Sequence, residues 1–134
     1  MTARTRKVER IHSVLRQMEK LQQRKVALIE RRCAENQAEQ EALIRALNED
    51  HALHGLFIDT TARRLRSLAE AGARLVRERE IEQRRLIAQA ARARAAGNLA
   101  ADVAEEARRA AEQADLREVI ERVSVPSRRR ASPP

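Results

Sequence analysis

The strongest constraint on this chain is that its first 54 residues contain neither Gly nor Pro. Arg, Glu, Gln, Leu and Ala dominate this stretch, and all of them favour helices. Together these features predict a first helix over residues 7–53, after a short frayed N-terminus at 1–6. The large apolar residues recur mostly at steps of three and four, the spacing of one helix face: Val8, Ile11, Val14, Leu15, Met18, Leu21, Leu28, Ile29, Leu43, Ile44 and Leu47.

A second stripe of the same spacing predicts a second helix over residues 59–123. The helix is expected to stop at Ser124-Val125-Pro126, because Pro cannot continue it. Gly97-Asn98 leaves an alternative open, in which the helix breaks there and residues 99–123 form a third one. The stripe consists of Leu65, Leu68, Ala69, Gly72, Leu75, Val76, Ile81, Leu86, Ile87, Val119, Ile120 and Val123, with an Ala-rich portion between Ala90 and Ala114.

Residues 54–58 are predicted to form the turn between the helices. Gly55 can end the first helix in the left-handed conformation, and Asp59, Thr60 or Thr61 can cap the second. At the other end, residues 124–134 carry Arg128, Arg129 and Arg130 and are predicted to be a disordered basic tail.

The amino-acid composition favours some fold classes over others. Charged residues make up 36% of the chain and aromatic residues 1%, whereas a compact globule of this size draws much of its buried area from large rings. This balance is typical of coiled coils. The sequence therefore predicts an all-α protein, a single long antiparallel two-helix coiled-coil hairpin over residues 7–123.

A turn centred near His54 sets a specific register, in which residue i faces roughly residue 108−i. Several apolar residues then face one another across a shallow coiled-coil crossing. In this register Ile11 meets Gly97, and Asn36 meets Gly72. The apolar pairs are Val8 with Ala100, Leu15 with Ala93, Leu21 with Ile87, Cys33 with Leu75, and Leu43 with Leu65.

No residue pattern predicts catalysis or a bound cofactor. His51 and His54 have a spacing that suits a metal ion, but no second shell is evident, and polar turn residues are the favoured interpretation. Cys33 stands beside Arg31 and Arg32, where a thiolate would be favoured, although a small seam residue explains it better. A Ser/His/Asp arrangement and a phosphate-cradling Gly-rich loop are both absent. We therefore expect a protein that is not an enzyme and binds no metal.

The net charge of +8 points to an acidic partner or surface. Nucleic acid is disfavoured, because Arg and Glu are interleaved and no Trp or Tyr offers base stacking. There is no signal peptide and no transmembrane candidate, which predicts a cytoplasmic protein without membrane insertion. Near the turn, the apolar cluster Leu53, Leu56, Phe57 and Ile58 exceeds what a two-helix tip can cover and predicts a docking point.

The length, the basic two-helix pattern with a mid-chain turn, and the basic termini resemble the flagellar and type III secretion export stalk family (FliJ-like proteins). The likeness spans residues 7–123 in architecture and has no single motif behind it. It implies a cytoplasmic antiparallel hairpin that inserts into a hexameric export ATPase and touches the export gate protein. Tyrosines near the turn, which the family uses for the gate, are missing here.

By this resemblance, the basic residues Arg4, Arg6, Lys7 and Arg10 would meet the ATPase ring. Leu43, Leu47, Phe57 and Leu65 would meet the gate. The function expected is that of a non-enzymatic stalk or chaperone-like component of an export apparatus. A generic coiled-coil adaptor or dimerisation module is the first alternative, and a basic nucleic-acid-associated protein is the second. The sequence leaves monomer and dimer equally open.

Overall fold

The computed structural model describes the backbone of residues 2–49 and 54–130, and the side chains of residues 2–49 and 58–124. Two helices account for almost all of this chain: α1 (Ala3–Glu49) and α2 (His54–Arg130). They pack against each other in antiparallel fashion, since contacts join early α1 to late α2 and late α1 to early α2. The predicted all-α class and its two-helix antiparallel packing are confirmed.

The chain divides into two compact units. The first unit contains Met1–Leu15 and Arg92–Pro134, and the second contains Arg16–Ala91. In each unit a segment of α1 packs against a segment of α2.

In the second unit, the buried and half-buried positions of α1 follow one another at steps of three and four. Those of α2 show the same spacing, with Ala71, Gln83 and Ala90 half-buried beside it. This is the heptad pattern of a coiled coil. We call the facing residues of each unit its seam. The seam of the second unit consists of Glu19, Gln22, Val26, Ile29, Cys33, Asn36, Gln40, Leu43 and Leu47 on α1, and Thr61, Leu65, Leu68, Gly72, Leu75, Arg79, Glu82, Leu86 and Gln89 on α2.

The first unit has a narrower seam in which small residues dominate the α2 side. Ala93, Ala96 and Val103 are among the few fully buried apolar residues of the described chain. Because Ala and Val are short, α1 can approach α2 closely here. The seam of the first unit consists of Thr5, Val8, His12 and Leu15 on α1, and Ala93, Ala96, Ala100, Val103 and Ala107 on α2.

The predicted register is confirmed to within one residue. In the second unit a Cβ built on Gly72 would lie 2.5 Å from Asn36 Oδ1, so these two residues are opposed as predicted. In the first unit a Cβ on Gly97 would lie 2.9 Å from His12 Nε2, whereas the prediction placed Ile11 there. The glycines allow close approach at both places.

The first helix begins earlier than predicted, because α1 starts at Ala3. Thr2 caps this helix: its Oγ1 accepts a hydrogen bond from the Thr5 backbone N–H at 3.1 Å, and its carbonyl accepts one from the Arg6 N–H at 3.2 Å. A threonine in this position satisfies backbone donors that a helix end would otherwise leave unpaired. Thr5, buried in the seam, holds the first turn against α2.

The predicted turn at residues 54–58 is wrong, because these residues already belong to α2. Asp59, Thr60 and Thr61 lie inside the helix and do not cap it. Gly55 is the second residue of α2 and does not terminate α1. A glycine in a helix costs only about 1 kcal/mol relative to alanine, so the helix can include it. Helix α1 ends at Glu49, and the connection falls at residues 50–53, outside the described residues.

At its far end α2 continues to Arg130, seven residues beyond the end predicted at Val123. The backbone of 131–134 and the side chains of 125–130 lie outside the described residues, so disorder of the tail stays a prediction. Gly97-Asn98 does not break the helix, and the three-helix alternative is excluded.

Several residues predicted to lie between the helices are on the outside instead. Leu21 and Ile87, expected to face each other, are 62% and 71% exposed. One neighbouring helix covers about two of every seven positions, and the predicted stripes were wider than that. The residues that are exposed for this reason are Ile11, Val14, Met18, Leu21, Leu28, Ile44, Val76, Ile81 and Ile87.

The register can be tested in the first unit by cross-linking. In a Cys33→Ala background, we expect Leu15→Cys with Ala93→Cys to form an intramolecular link with a short bis-maleimide, because both positions lie in the seam. Val14→Cys with Ala93→Cys is the matched control, since Val14 is 54% exposed on the outer face. Peptide mass spectrometry measures the products. Equal cross-linking of the two pairs would contradict the register.

Replacing Gly72 by alanine should change the thermal stability in opposite directions in two backgrounds. Gly72→Ala should lower the thermal midpoint, because the new Cβ would lie 2.5 Å from Asn36 Oδ1. In an Asn36→Ala background the same substitution should raise the midpoint, since alanine is favoured over glycine by about 1 kcal/mol in a helix interior. Melting followed by circular dichroism at 222 nm measures both. The prediction is wrong if Gly72→Ala stabilises the otherwise unchanged chain.

Candidate partner-binding surfaces

A buried carboxylate lies in the seam of the second unit. Glu82 is 4% exposed and sits in the seam of α2. From α1, the amide of Gln22 donates to Glu82 Oε2 at 2.6 Å and to the Glu82 carbonyl at 3.0 Å. Two cations flank the other oxygen: Lys25 Nζ lies 3.3 Å and Arg85 Nη1 lies 2.8 Å from Oε1. Every partner favours the charged carboxylate.

The Gln22 hydrogen bond holds the pKa of Glu82 below its ordinary value, with Lys25 and Arg85 adding to the effect and burial opposing it. A buried charge that is paired and hydrogen-bonded is tolerated, whereas an orphaned one is costly. This cluster therefore fixes the alignment of α1 and α2.

A second polar group in the same unit surrounds Gly72. Asn36 Nδ2 donates to the Leu68 carbonyl at 2.9 Å, and Gln40 Nε2 donates to Asn36 Oδ1 at 2.6 Å. The missing side chain at Gly72 leaves an open groove of about 220 Å³. Its walls combine uncharged amides with small apolar side chains and the thiol of Cys33. The groove is lined by Cys33, Asn36, Gln37, Gln40, Ala69, Gly72, Ala73 and Val76.

The first unit carries an exposed network of ion pairs on α2. Arg108 bridges Glu105 at 2.5 Å and Glu112 at 2.9 Å, and Arg109 contacts Glu105 at 3.2 Å. The Arg108 hydrogen bond lowers the pKa of Glu105, and the charges of Arg108 and Arg109 reinforce it while burial opposes it. Pairs of this i,i+3 and i,i+4 kind support a helix that has few tertiary contacts.

Exposed apolar side chains form the most distinctive outer surface of the second unit. On α1 of this unit, Met18, Leu21 and Leu28 recur at heptad spacing one position before the seam residues Glu19, Gln22 and Ile29. Ile81 of α2 is likewise one position before Glu82 and half exposed. Grouped exposed apolar residues of this kind mark interaction sites more often than scattered ones do. They were predicted as core residues, and their outward position was missed.

The first unit has exposed apolar residues of its own. Ile11, Val14 and Leu99 are each about half exposed, and Leu116, Val119, Ile120 and Val123 lie farther along α2. The heptad phase, taken from Thr5, Val8, His12 and Leu15, would have separated Ile11 and Val14 from the seam. That phase was hidden because Thr5 and His12 are polar.

The four predicted basic contact residues, Arg4, Arg6, Lys7 and Arg10, all lie on α1 of the first unit and are all exposed. Arg4 forms a long ion pair with Glu106 of α2, at 3.6 Å between its Nη1 and Oε2. Exposed pairs of this length contribute little. The basic patch is thus accessible, and its role as a contact surface stays a prediction.

The predicted apolar contacts are distributed differently. Leu43, Leu47 and Leu65 are half-buried in the seam of the second unit, where they pack between the two helices. Ile58 is 41% exposed on α2. The side chains of Leu53, Leu56 and Phe57 lie outside the described residues, and so do those of His51 and His54. The predicted docking point and the disfavoured metal site near the connection are therefore both outside what the structure describes.

Cys33 is a half-buried seam residue with a free thiol, in the position predicted for it. Across the described side chains, no group of three or more His, Cys, Asp or Glu residues is arranged to hold a metal ion. Within residues 2–49 and 54–130, neither helix contains a segment with the length and apolar character needed to span a bilayer.

No protein-family model, no curated protein and no solved structure matches this chain.

The Glu82 cluster predicts how stability varies with pH. A lowered pKa in the folded state contributes stability that is present above the ordinary glutamate pKa and is lost as the pH falls through the folded value. The urea midpoint should therefore fall on acidification below about pH 5. Glu82→Gln should be less stable at neutral pH and should lose less stability on acidification, because it cannot pair with Lys25 and Arg85.

Glu80→Gln is the matched control, since Glu80 is an exposed glutamate on the same helix. Urea titrations at several pH values measure the three proteins. If Glu82→Gln shows the same acid dependence as the unchanged chain and Glu80→Gln, then the carboxylate is not coupled to folding in the predicted direction.

Proposed function

We propose that this chain is a non-enzymatic coiled-coil stalk of a flagellar-type protein export apparatus, acting in the cytoplasm. The observation that carries the proposal is the accessible basic patch of Arg6, Lys7 and Arg10 on α1. The antiparallel pairing of α1 with α2 supports it, because a stalk has to present different helix faces to the successive subunits of a ring. In the family that the sequence resembles, this ring is a hexameric export ATPase.

A stalk of this type performs no chemistry. It needs two helices held in one register and outer faces that bear charge. The Glu82 and Asn36 clusters supply the first property, because each polar side chain finds its partner in only one alignment. Exposed Arg and Glu side chains supply the second. By the same resemblance, the region flanking the connection, including Leu43, Leu47, Phe57 and Leu65, is assigned to the export gate protein.

The alternative is a coiled-coil adaptor, and the exposed Met18, Leu21 and Leu28 favour it. Such a stripe would accept an amphipathic helix of a partner by filling the space beside α1. Nucleic acid is a weaker candidate, because the exposed arginines of the network at Glu105 and Glu112 are already paired with carboxylates.

The ATPase contact is tested by charge reversal. We expect the unchanged chain to bind a hexameric export ATPase and to alter its rate of ATP hydrolysis. Arg6→Glu/Lys7→Glu/Arg10→Glu should reduce both effects at least tenfold, because three attractive charges become repulsive. Pull-down and phosphate release measure them, and affinity should fall with added salt.

Arg24→Glu/Arg31→Glu/Arg32→Glu is the matched control: it reverses three exposed basic residues of α1 in the second unit and changes the net charge equally. Absence of any binding to the ATPase would sink the stalk proposal and leave the adaptor. Equal losses in the two triple variants would show that net charge alone, and no specific patch, governs the contact.

A further inference from the structure

The end of α2 extends beyond the beginning of α1. In the first unit Thr5 and Val103 are 3% and 4% exposed, and Ala107 is the last half-buried position of the seam. From Arg108 to Val123 every residue is exposed. We call residues 108–123 the overhang. It is a single helix with no neighbouring helix among the described residues.

The overhang is not uniformly polar. Leu116, Val119, Ile120 and Val123 follow one another at steps of three, one and three, which places them on one helix face. Their exposed fractions run from 53% to 71%. We call these four residues the C-terminal stripe. Four large exposed aliphatic side chains on one face form an apolar patch whose contact with water is unfavourable.

The C-terminal stripe points away from α1. Ala107 faces α1, and Leu116 follows it by nine residues, which is two and a half turns at about 3.6 residues per turn. Leu116 therefore lies on the opposite side of α2, and the other three residues surround it. The path of α1 therefore does not lead to this face, and the face is accessible to another molecule.

The stripe is complementary to itself. Its order, Leu-x-x-Val-Ile-x-x-Val, places large aliphatic residues at the same positions when it is read in either direction. If two copies lie antiparallel about the midpoint between Val119 and Ile120, Leu116 of one faces Val123 of the other. A two-fold interface of this kind requires such self-complementarity.

The charges beside the stripe favour the same arrangement. Asp115 and Arg122 are seven residues apart, so they lie on the same flank of the helix. An antiparallel pair brings Asp115 of each copy beside Arg122 of the other. In a parallel pair each aspartate would stay level with the other aspartate, about 10 Å along the axis from the nearest such arginine. Among the described residues neither side chain has an ion pair within the molecule.

We infer that the C-terminal stripe is a self-association surface through which two copies of this chain form an antiparallel dimer. The contact involves about two turns of one helix from each copy, which is small for a protein interface. The dimer is therefore weak and reversible, with a dissociation constant on the order of 10–100 µM. This inference goes beyond the proposed stalk function and requires no export protein.

Sedimentation equilibrium of the full chain tests the surface. We expect reversible monomer–dimer behaviour between about 1 µM and 1 mM, centred on the constant above. Ile120→Glu should weaken the dimer at least tenfold, because it places a charge at the centre of the contact. Ala114→Glu is the matched control: Ala114 is two turns beyond Ala107 and lies on the opposite face from the stripe. A monomer at every concentration, or equal weakening by both variants, overturns the inference.

A charge exchange tests the antiparallel geometry and guards against a variant that simply fails to fold. Asp115→Arg and Arg122→Asp should each weaken the dimer about tenfold, because each replaces attraction with repulsion. The double variant Asp115→Arg/Arg122→Asp should recover the original constant. Recovery supports the antiparallel pair, whereas a double variant as weak as either single one overturns it. Helicity at 222 nm, measured on all variants, verifies that the helices are intact.

Discussion

The width of a helix–helix seam governs this structure, because one antiparallel neighbour covers only about two of every seven residues of a helix. Both helices carry more aliphatic residues than two positions in seven can hold. The surplus is exposed on α1 as Met18, Leu21 and Leu28, and on α2 as Ile81 and Ile87. The outer surface of the chain is therefore a consequence of this limit, and the exposed aliphatic residues are the positions at which other helices can be accommodated.

The seam buries less apolar surface than it could, because several of its positions hold polar residues that fix the alignment of the two helices. Gln22, Asn36 and Glu82 occupy positions where leucine or isoleucine would bury more surface. Each of them forms hydrogen bonds across the seam that exist in only one register. A one-residue slip would leave Glu82 buried without Gln22, and an unpaired buried charge is strongly unfavourable. Polar residues in a coiled-coil seam are known to select register in this way.

Much of the fold was predictable, because heptad spacing and a long absence of Gly and Pro are properties of the sequence itself. They gave the two antiparallel helices and the pairing of Asn36 with Gly72. They did not reveal which of two adjacent stripes faces the other helix. A search for apolar residues passes over Gln22 and Glu82, because the burial of each of these polar residues depends on the other. The helix boundaries near Thr2 and Gly55 differ from the predicted ones because capping and glycine preferences amount to only about 1 kcal/mol. For the candidate site, the exposure of Arg6 and Arg10 was predictable from charge, but the seam position of Leu43 and Leu65 required the correct phase.

Partner binding and folding are linked in a chain built like this one. Burial of apolar surface contributes about 25 cal/mol per Å², and the seam uses many of its positions for alanine, glycine and polar residues. Any molecule that covers Leu21 or Ile120 binds the paired or helical form in preference to the unfolded chain, so it stabilises the fold by mass action. Stability should therefore depend on the concentration of whatever covers these faces, which is a property that a helix pair with an all-leucine seam and a polar exterior would lack.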